Sequence, residues 1–213
     1  IYLAERTKAI SKIPYAVRQI IIGILFGGLA ILGTEFGVKT DGAIINARDA
    51  SPICAGLLFG APAGIIAGVI GGVERWFAVL WGAGEYTRLA CSISTILAGV
   101  FSAVLRKFMF DNKKPKWYYC LATATITEVI HMLMIFLTNM TDARTAFSFV
   151  RACSLPMIAV NSLAVMLAGI LLSVLSGADR RSARHDLKNI SQSFQRFLLI
   201  CVTAGFLMTT IFT

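Results

Sequence analysis

The chain has 213 residues, of which 57 % are hydrophobic and only 15 % are charged, and its mean hydropathy is +0.75. A soluble domain of this length does not need so much apolar sequence, so the composition indicates a helical protein that crosses a membrane several times. The formal net charge is +9. In a membrane protein such a charge indicates basic cytoplasmic loops against anionic lipid, so we expect the lipid bilayer as a partner and no nucleic acid.

Seven apolar runs follow one another along the chain, and each is a candidate membrane span. They cover residues 16–36, 43–59, 61–80, 89–105, 117–138, 148–176 and 197–213. The second and third runs allow another interpretation, in which residues 50–73 form one continuous helix, because about 20 apolar residues suffice to cross a bilayer.

The basic residues decide between these interpretations, because most of them fall in three clusters that the positive-inside rule places in the cytoplasm. They are Arg6, Lys8, Lys12 and Arg18 at the first run; Arg106, Lys107, Lys113, Lys114 and Lys116 after the fourth; and Arg180, Arg181, Arg184, Lys188 and Arg196 after the sixth. An even number of crossings must separate the first two clusters, and four separate spans satisfy this. We therefore predict a turn at residues 60–64, where Pro62 lacks an N–H group and the flanking glycines are permissive.

The predicted fold is all-α, a polytopic membrane helix bundle with a six-helix core and a seventh, truncated transmembrane helix. Its predicted segments are a cytoplasmic lead-in 1–14, a six-helix domain 15–178, a basic cytoplasmic linker 179–196 and the additional helix 197–213. The chain starts without Met and stops inside an apolar run, so we expect a piece of a longer protein. Glycines at a four-residue spacing from residue 56 to residue 72 predict closely packed helices.

Catalytic and metal-binding motifs are absent from the sequence. The five cysteines lie singly in or beside apolar stretches, and none has a second cysteine or a histidine at the spacing of a zinc site. No phosphate-binding loop, nucleophile elbow or paired-carboxylate arrangement is present. We therefore expect no catalytic residue, no metal and no cofactor, and we interpret the cysteines as small buried hydrophobic residues.

Two arginines, Arg48 and Arg75, stand inside apolar runs at the same predicted depth, on the external side. A charge inside the hydrocarbon costs at least a few kcal/mol, so it usually faces a cavity or a partner. Each arginine has a structural alternative: Arg48 can reach the headgroups or pair with Asp49, and Arg75 can pair with Glu74 or Glu85. Two guanidinium groups at one depth favour a small anion, because each offers a planar fork of donors that matches a carboxylate.

Polar residues in the later spans are candidates for a switch. Glu128 and His131 are three residues apart, which places them on one face of the fifth span. They predict either a proton-linked switch or a mutually hydrogen-bonded structural pair. Asn161 and Ser162 in the sixth span are typical of polar contacts between membrane helices, and Asn161 is a further candidate for the switch.

The stretch NARDASPICAGLLFGAPAGIIAGVIGGVER, followed by CSISTILAGVFSAVL, resembles the LytS/YhcK-type transmembrane receptor region. It fits an N-x-R motif, a G-L-x-x-G-x-x-x-G run, a G-x-x-R motif and a helix start rich in Cys, Ser and Thr. The later segments EVIHMLMIFL and SLPMIAVNSLAVMLAGILL fit as well. The resemblance covers roughly residues 15–178.

This family consists of membrane sensor modules of bacterial signalling proteins, joined to histidine kinase, diguanylate cyclase or phosphatase outputs. The resemblance implies a non-enzymatic, multi-pass sensory domain of the bacterial cytoplasmic (inner) membrane that signals to an output domain outside this chain. Some members are receptors for pyruvate-like small carboxylates, which implies a small organic anion as the ligand. The ligand-binding residues implied by the matched motifs are Asn46, Arg48, Arg75, Cys91 and Ser94.

Two other functions share this architecture. One is the solute-binding membrane component of a transporter, and the other is a structural anchor that dimerises an output enzyme and binds no ligand. We also expect a homodimer formed through the full-length protein.

Overall fold

The computed structural model describes residues 13–40, 43–82 and 84–176. The predicted lead-in up to residue 12, the linker 179–196 and the seventh helix 197–213 lie outside the described residues. Within them the chain is a helical bundle with five helices long and apolar enough to cross a membrane. The prediction of a polytopic helical membrane fold is therefore confirmed.

Six helices and one short β-hairpin succeed one another in the described part of the chain. The elements are α1 Tyr15–Glu35, β1 Val38–Thr40, β2 Ala43–Ile45, α2 Ala50–Cys54 with a π-helical continuation Ala55–Phe59, α3 Ala61–Phe77 with a 3-10 continuation Ala78–Trp81, α4 Arg88–Phe108, α5 Trp117–Thr138, and α6 Ala143–Ser176 after a 3-10 turn Met140–Asp142.

The second predicted span, residues 43–59, is wrong in its first half. Residues 43–45 pair with residues 38–40 in an antiparallel hairpin that sets Val38 opposite Ile45. Residues 46–49 are not helical, and the helix begins only at Ala50. From Ala50 to Phe59 it is about 15 Å long, too short to cross the hydrocarbon by itself.

The predicted turn at residues 60–64 is confirmed, and the continuous helix over residues 50–73 is excluded. The π-helical segment ends at Phe59, and α3 starts at Ala61 with Pro62 in its first turn, where a missing N–H costs nothing. The break is clasped by Gln19 of α1. The Gln19 Oε1 atom accepts from the Ala63 N–H (3.3 Å), and its Nε2 donates to the Phe59 carbonyl (3.3 Å).

The order of contacts between helices shows which way each one runs. Gly23 and Gly27 of α1 lie against residues 66 and 70 of α3, so α1 and α3 are parallel. The chain must therefore return between them, through the hairpin, the segment 46–49 and α2 together. After α3, each helix up to α6 follows a short connection and packs antiparallel to the helix before it.

The glycine spacing brings α2, α3 and α4 into backbone contact, as predicted. A Cβ atom on Gly64 would lie 2.5 Å from the Gly56 Cα, and one on Gly68 would lie 3.1 Å from the Gly99 Cα. No side chain larger than hydrogen fits there without a shift of the backbone. The C-terminal half of α2 is thus packed closely against α3 and α4.

Candidate ligand-binding site

The non-helical segment 46–49 lies inside the bundle, against the last turn of α1. The charge pattern predicts that this end of the bundle faces outwards, and it is called the outer end below. A Cβ atom on Gly33 of α1 would lie 2.9 Å from the Arg48 Cα, so this glycine permits the close approach of the two backbones. The side chains of Arg48 and Asp49 are fully buried, with 0 % of each residue exposed. Irregular backbone at membrane depth is tolerated where protein surrounds it, because its N–H and C=O groups then find partners.

Asn161 of α6 supplies those partners. Its Oδ1 accepts from the Ala50 N–H (2.8 Å), which is one of the donors left open at a helix N-terminus. Its Nδ2 donates to the Asn46 carbonyl (3.0 Å) and to the Met157 carbonyl of its own helix (3.1 Å). The prediction that Asn161 forms a polar contact between helices is confirmed, and this contact holds the broken start of α2.

Arg48 and Asp49 form the centre of a buried polar network. The Arg48 Nε donates to the Thr95 hydroxyl (2.7 Å) and to Asp49 Oδ1 (3.3 Å), and the same hydroxyl donates to Asp49 Oδ1 (2.6 Å). The predicted pairing of Arg48 with Asp49 is therefore present, but it uses only Nε. The Arg48 Nη1 and Nη2 atoms are buried and have no hydrogen-bond partner among the described residues.

His131 extends the network from Asp49 to Cys91. Its Nδ1 lies 2.7 Å from Asp49 Oδ2, and its Nε2 lies 3.4 Å from Cys91 Sγ. Because a carboxylate only accepts hydrogen bonds, Nδ1 carries a hydrogen, and Nε2 faces the sulfur of Cys91. All three side chains are buried.

Glu128 and His131 lie together as a long ion pair, but the predicted hydrogen bond between them does not form. The Glu128 Oε2 atom is 3.9 Å from His131 Nδ1, and neither Glu128 oxygen has a hydrogen-bond partner among the described residues. Helical spacing places the two residues on one face, but the imidazole turns towards Asp49, which comes from another part of the chain. Glu128 therefore remains a second acidic group beside the network.

Arg75 lies near the outer end of α3 and is 3 % exposed. Its Nη2 donates to the Gly84 carbonyl (2.8 Å) and to the Thr87 hydroxyl (3.2 Å), while its Nη1 has no partner among the described residues. The predicted ion pairs with Glu74 or Glu85 do not form there; Glu74 accepts a hydrogen bond from Thr34 instead (3.0 Å). Arg75, like Arg48, thus has a buried guanidinium nitrogen without a hydrogen-bond partner among the described residues.

A narrow pocket opens beside these residues. It is lined by Thr34, Asn46, Arg75, Gly84, Thr87, Cys91, His131, Ile135, Phe149 and Met157. Of the predicted ligand-binding residues, Asn46, Arg75 and Cys91 thus meet at one pocket.

Arg48 and Ser94 do not line this pocket. Arg48 is close enough to Cys91 and Arg75 to act on both electrostatically: it attracts negative charge on the sulfur and repels the second guanidinium. Ser94 is 2 % exposed, and its hydroxyl has no partner in the described part of the chain. Their roles in ligand binding stay predictions.

Three residues of the network are of the kind that bind metal ions. One potential ligand atom from each of Asp49, Glu128 and His131 lies within 4.8 Å of the others. A cation there would have to displace the hydrogen bond between Asp49 and His131 and would sit next to the Arg48 guanidinium. The charges of the site therefore favour an internal hydrogen-bond network and an anion nearby.

Sequence reasoning missed Thr95, Thr87 and the central role of Asp49. Thr95 could have been found, because it follows Cys91 by four residues and so lies on the same helical face. The sequence indicates Asp49 only as an ion-pair partner of its neighbour Arg48. Its bond to His131 joins residues 82 positions apart, and nothing in the local pattern indicates it.

Comparison with known proteins gives one family and several relatives. Residues 2–175 match the family model described as 5TMR of 5TMR-LYT. No solved structure matches the chain significantly.

The relatives are sensor proteins. The chain is 27 % identical over 164 residues to the sensor histidine kinase YpdA of Escherichia coli (strain K12), which covers 77 % of this chain and 28 % of YpdA. It is 28 % identical over 147 residues to the sensor histidine kinase BtsS of the same organism, covering 68 % of this chain and 25 % of BtsS. It is 31 % identical over 162 residues to the sensor protein LytS of Staphylococcus epidermidis (strain ATCC 35984), covering 73 % and 26 %. The chain thus spans about a quarter of the length of these relatives.

Proposed function

Because the chain belongs to the family of 5TMR-LYT transmembrane regions, and is the multi-pass sensory domain of a bacterial inner-membrane signalling protein, we propose that it binds a small organic anion. The anion is a pyruvate-like carboxylate that enters from the outer side. The domain passes the signal to an output domain elsewhere in the full-length protein, which works as a homodimer. The sensor proteins among its relatives favour this function over a transporter component or a ligand-free anchor.

The observation that supports the anion is the set of unused guanidinium donors. Among the described residues, Arg75 Nη1 lies at the pocket without a hydrogen-bond partner, and Arg48 Nη1 and Nη2 have none either. A buried charged donor without a partner costs several kcal/mol, because it has lost its hydration and gained nothing in return. A carboxylate would supply two oxygens with the geometry that a guanidinium fork prefers.

Signalling follows from the same charges. Arg48 belongs to the start of α2 and Arg75 to the end of α3, and the two positive charges repel each other. An anion that binds Arg75 and draws in Arg48 offsets this repulsion and favours a closer packing of the two segments. A ligand shifts such an equilibrium only by its difference in affinity for the two packings. Asn161 connects the start of α2 to α6, which leads towards the following part of the chain.

The direct test is calorimetric titration of pyruvate into the purified chain in detergent or nanodiscs. We expect saturable binding that is weakened by at least about tenfold in Arg75→Ala and in Arg48→Ala, which corresponds to about 1.4 kcal/mol. The matched control is Arg151→Ala, which removes an exposed arginine of α6 away from the pocket and should leave the affinity unchanged.

Equal binding by Arg75→Ala and the unchanged chain would show that the site is wrong. If neither pyruvate nor any other short carboxylate binds the folded chain, the anion itself is wrong, although the membrane fold and the family stand. Circular dichroism of each variant shows whether the helical bundle has been kept.

A further inference from the structure

Cys91, His131 and Asp49 form a continuous series of contacts that ends at the pocket. The thiol faces the imidazole (Sγ to Nε2, 3.4 Å), and the imidazole is bonded to the carboxylate (Nδ1 to Oδ2, 2.7 Å). Thr95 and Arg48 hold the far side of that carboxylate. A nucleophile, a base and a group that orients the base stand in this order in the triads that activate side-chain nucleophiles.

Each member of the series has a definite role. Asp49 accepts the Nδ1 hydrogen, so that His131 Nε2 is free to take the proton of the thiol. The guanidinium groups of Arg48 and Arg75 act on the sulfur and stabilise negative charge there. The thiolate is the nucleophilic form of cysteine.

Two other buried cysteines show that this environment is particular to Cys91. Cys54 and Cys120 belong to an apolar core cluster with leucine, isoleucine and alanine neighbours. Burial among such neighbours disfavours a charged sulfur and makes a thiol inert. The sequence expectation of a small buried hydrophobic residue fits Cys54 and Cys120, and it is insufficient for Cys91.

The pocket adds a second, independent observation that points to the ligand. Cys91 and His131 line it together with Arg75, whose Nη1 is buried and lacks a partner among the described residues. A carboxylate bound by Arg75 would bring an adjacent carbon atom towards the sulfur. In a 2-oxo carboxylate that adjacent atom is an electrophilic carbonyl carbon.

We propose that Cys91 adds reversibly to the keto carbon of a 2-oxo carboxylate in this pocket. This inference rests on the proposed function, since it concerns the same anion site. His131 Nε2 takes the thiol proton, and the sulfur electron pair forms the bond to C2. The π pair of the C=O bond moves to the oxygen, which then takes the proton from His131. The product is a thiohemiketal with a tetrahedral, hydroxyl-bearing C2; no other reactant is consumed, and reversal releases the ligand and the free thiol.

The bond explains how a small pocket can select a ligand of so few atoms. Pyruvate and lactate have the same carbon skeleton and carboxylate, and hydrogen bonds alone separate them weakly. Only the ketone can form the sulfur–carbon bond. Oxamate keeps the shape and the carboxylate of pyruvate, but its amide carbonyl resists addition.

The test uses the full 213-residue chain in lipid nanodiscs with pyruvate labelled with carbon-13 at C2. We expect a protein-bound carbon resonance in the region of tetrahedral carbon bonded to sulfur and oxygen. It should disappear in Cys91→Ser, which keeps a hydrogen-bonding group of similar size but a much weaker nucleophile. It should persist in Cys120→Ser, the matched change at a buried cysteine outside the pocket.

Affinities provide the second readout. Pyruvate should bind the unchanged chain at least about tenfold more tightly than oxamate. Cys91→Ser should remove this preference, and Cys120→Ser should keep it. If pyruvate and oxamate bind equally and bound pyruvate keeps its ketone resonance, the addition is wrong and the anion site stands. If neither ligand binds the folded chain, the proposed function fails together with this inference.

Discussion

At both ends of α2 the helical backbone is interrupted inside the membrane bundle. The two ends differ in whether buried charged donors remain without a partner among the described residues. At the inner end, the Gln19 carboxamide accepts from the Ala63 N–H and donates to the Phe59 carbonyl. At the outer end, the Asn161 carboxamide accepts from the Ala50 N–H and donates to the Asn46 carbonyl. At each end, one carboxamide side chain thus pairs a backbone N–H and a backbone carbonyl that the break leaves open.

The difference lies in the side chains around each clasp. The inner end packs glycine against glycine, and Arg106 there gives its Nε to the Asn112 carbonyl (2.9 Å) and its Nη1 to the Leu57 carbonyl. The outer end holds Arg48 and Arg75, which are at most 3 % exposed and have donors that find no partner in the described residues. At the inner end the Arg18 Nε atom also lacks a partner among the described residues, but this arginine is partly exposed. A broken membrane helix is therefore no sign of a site by itself, whereas unused donors on fully buried charges at the break are.

The largest expected effect is at the carboxylate of the outer end. Asp49→Ala removes the partner of His131 and Arg48, and a buried charge left without its partner costs about 3–5 kcal/mol. We expect this loss in the free energy of unfolding, measured by equilibrium denaturation in mixed micelles. Glu85→Ala, at an exposed acid near the same end, should change the stability by less than about 0.5 kcal/mol.

If Asp49→Ala proves as stable as Glu85→Ala, the buried network contributes nothing to the fold. The buried charges at the outer end of α2 would then not distinguish it from the inner end in stability.

The two clasps provide a matched pair of intermediate size. Asn161→Ala and Gln19→Ala each leave one backbone donor and one acceptor unpaired, which costs about 1–3 kcal/mol. The bonds of Asn161 are shorter, so its variant should lose more stability. Only Asn161→Ala should also weaken pyruvate binding, measured by calorimetry, because only this clasp positions Asn46 and Arg48.

Equal weakening of pyruvate binding by both variants would contradict the assignment of the site to the outer end. It would mean that binding follows the general stability of the bundle.

The smallest expected effect comes from two glycines of α1. A methyl group at Gly33 would press on the Arg48 backbone at 2.9 Å, whereas one at Gly28 would meet nothing within 4 Å. The non-helical segment can shift to relieve the contact, so Gly33→Ala should cost about 1 kcal/mol, at the low end for overpacking. It should also lower the pyruvate affinity several-fold, as read by calorimetry.

Gly28→Ala serves as the control and should be neutral or slightly stabilising, since alanine favours helix over glycine. An unchanged affinity in Gly33→Ala would show that the position of Arg48 does not influence the ligand.

Charge topology predicted the helix order well because it depends on the whole chain. Clusters such as residues 106–116 predict which connections are cytoplasmic, and this requirement placed the predicted turn at residues 60–64. The extent of α2 could not be found in this way. Residues 43–47 are mostly apolar and compatible with a helix, yet residues 43–45 form a strand. Residues 46–49 stay irregular, and Asn161, more than 100 residues away, pairs their backbone groups.

The partner of His131 shows the same limit. The three-residue spacing from Glu128 predicts a shared face, but a face says nothing about which side chain another helix presents to it. Here Asp49 lies against that face, and its Oδ2 atom is 2.7 Å from His131 Nδ1. Asn161 was identified correctly because an amide in a membrane helix needs a partner whichever helix provides it.

Pro156 gives α6 a position at which the helix can bend. The helix runs for 34 residues, and it lines the pocket with Phe149 before the proline and with Met157 after it. At the proline one backbone hydrogen bond is missing, and Asn161 lies on the same side of it as Met157. The arm from Met157 to Ser176 is about 28 Å long at 1.5 Å per residue. A tilt of about 2° at the joint therefore moves its far end by about 1 Å. A small change of angle at the pocket thus becomes a displacement at the opposite face of the bundle, where the chain continues.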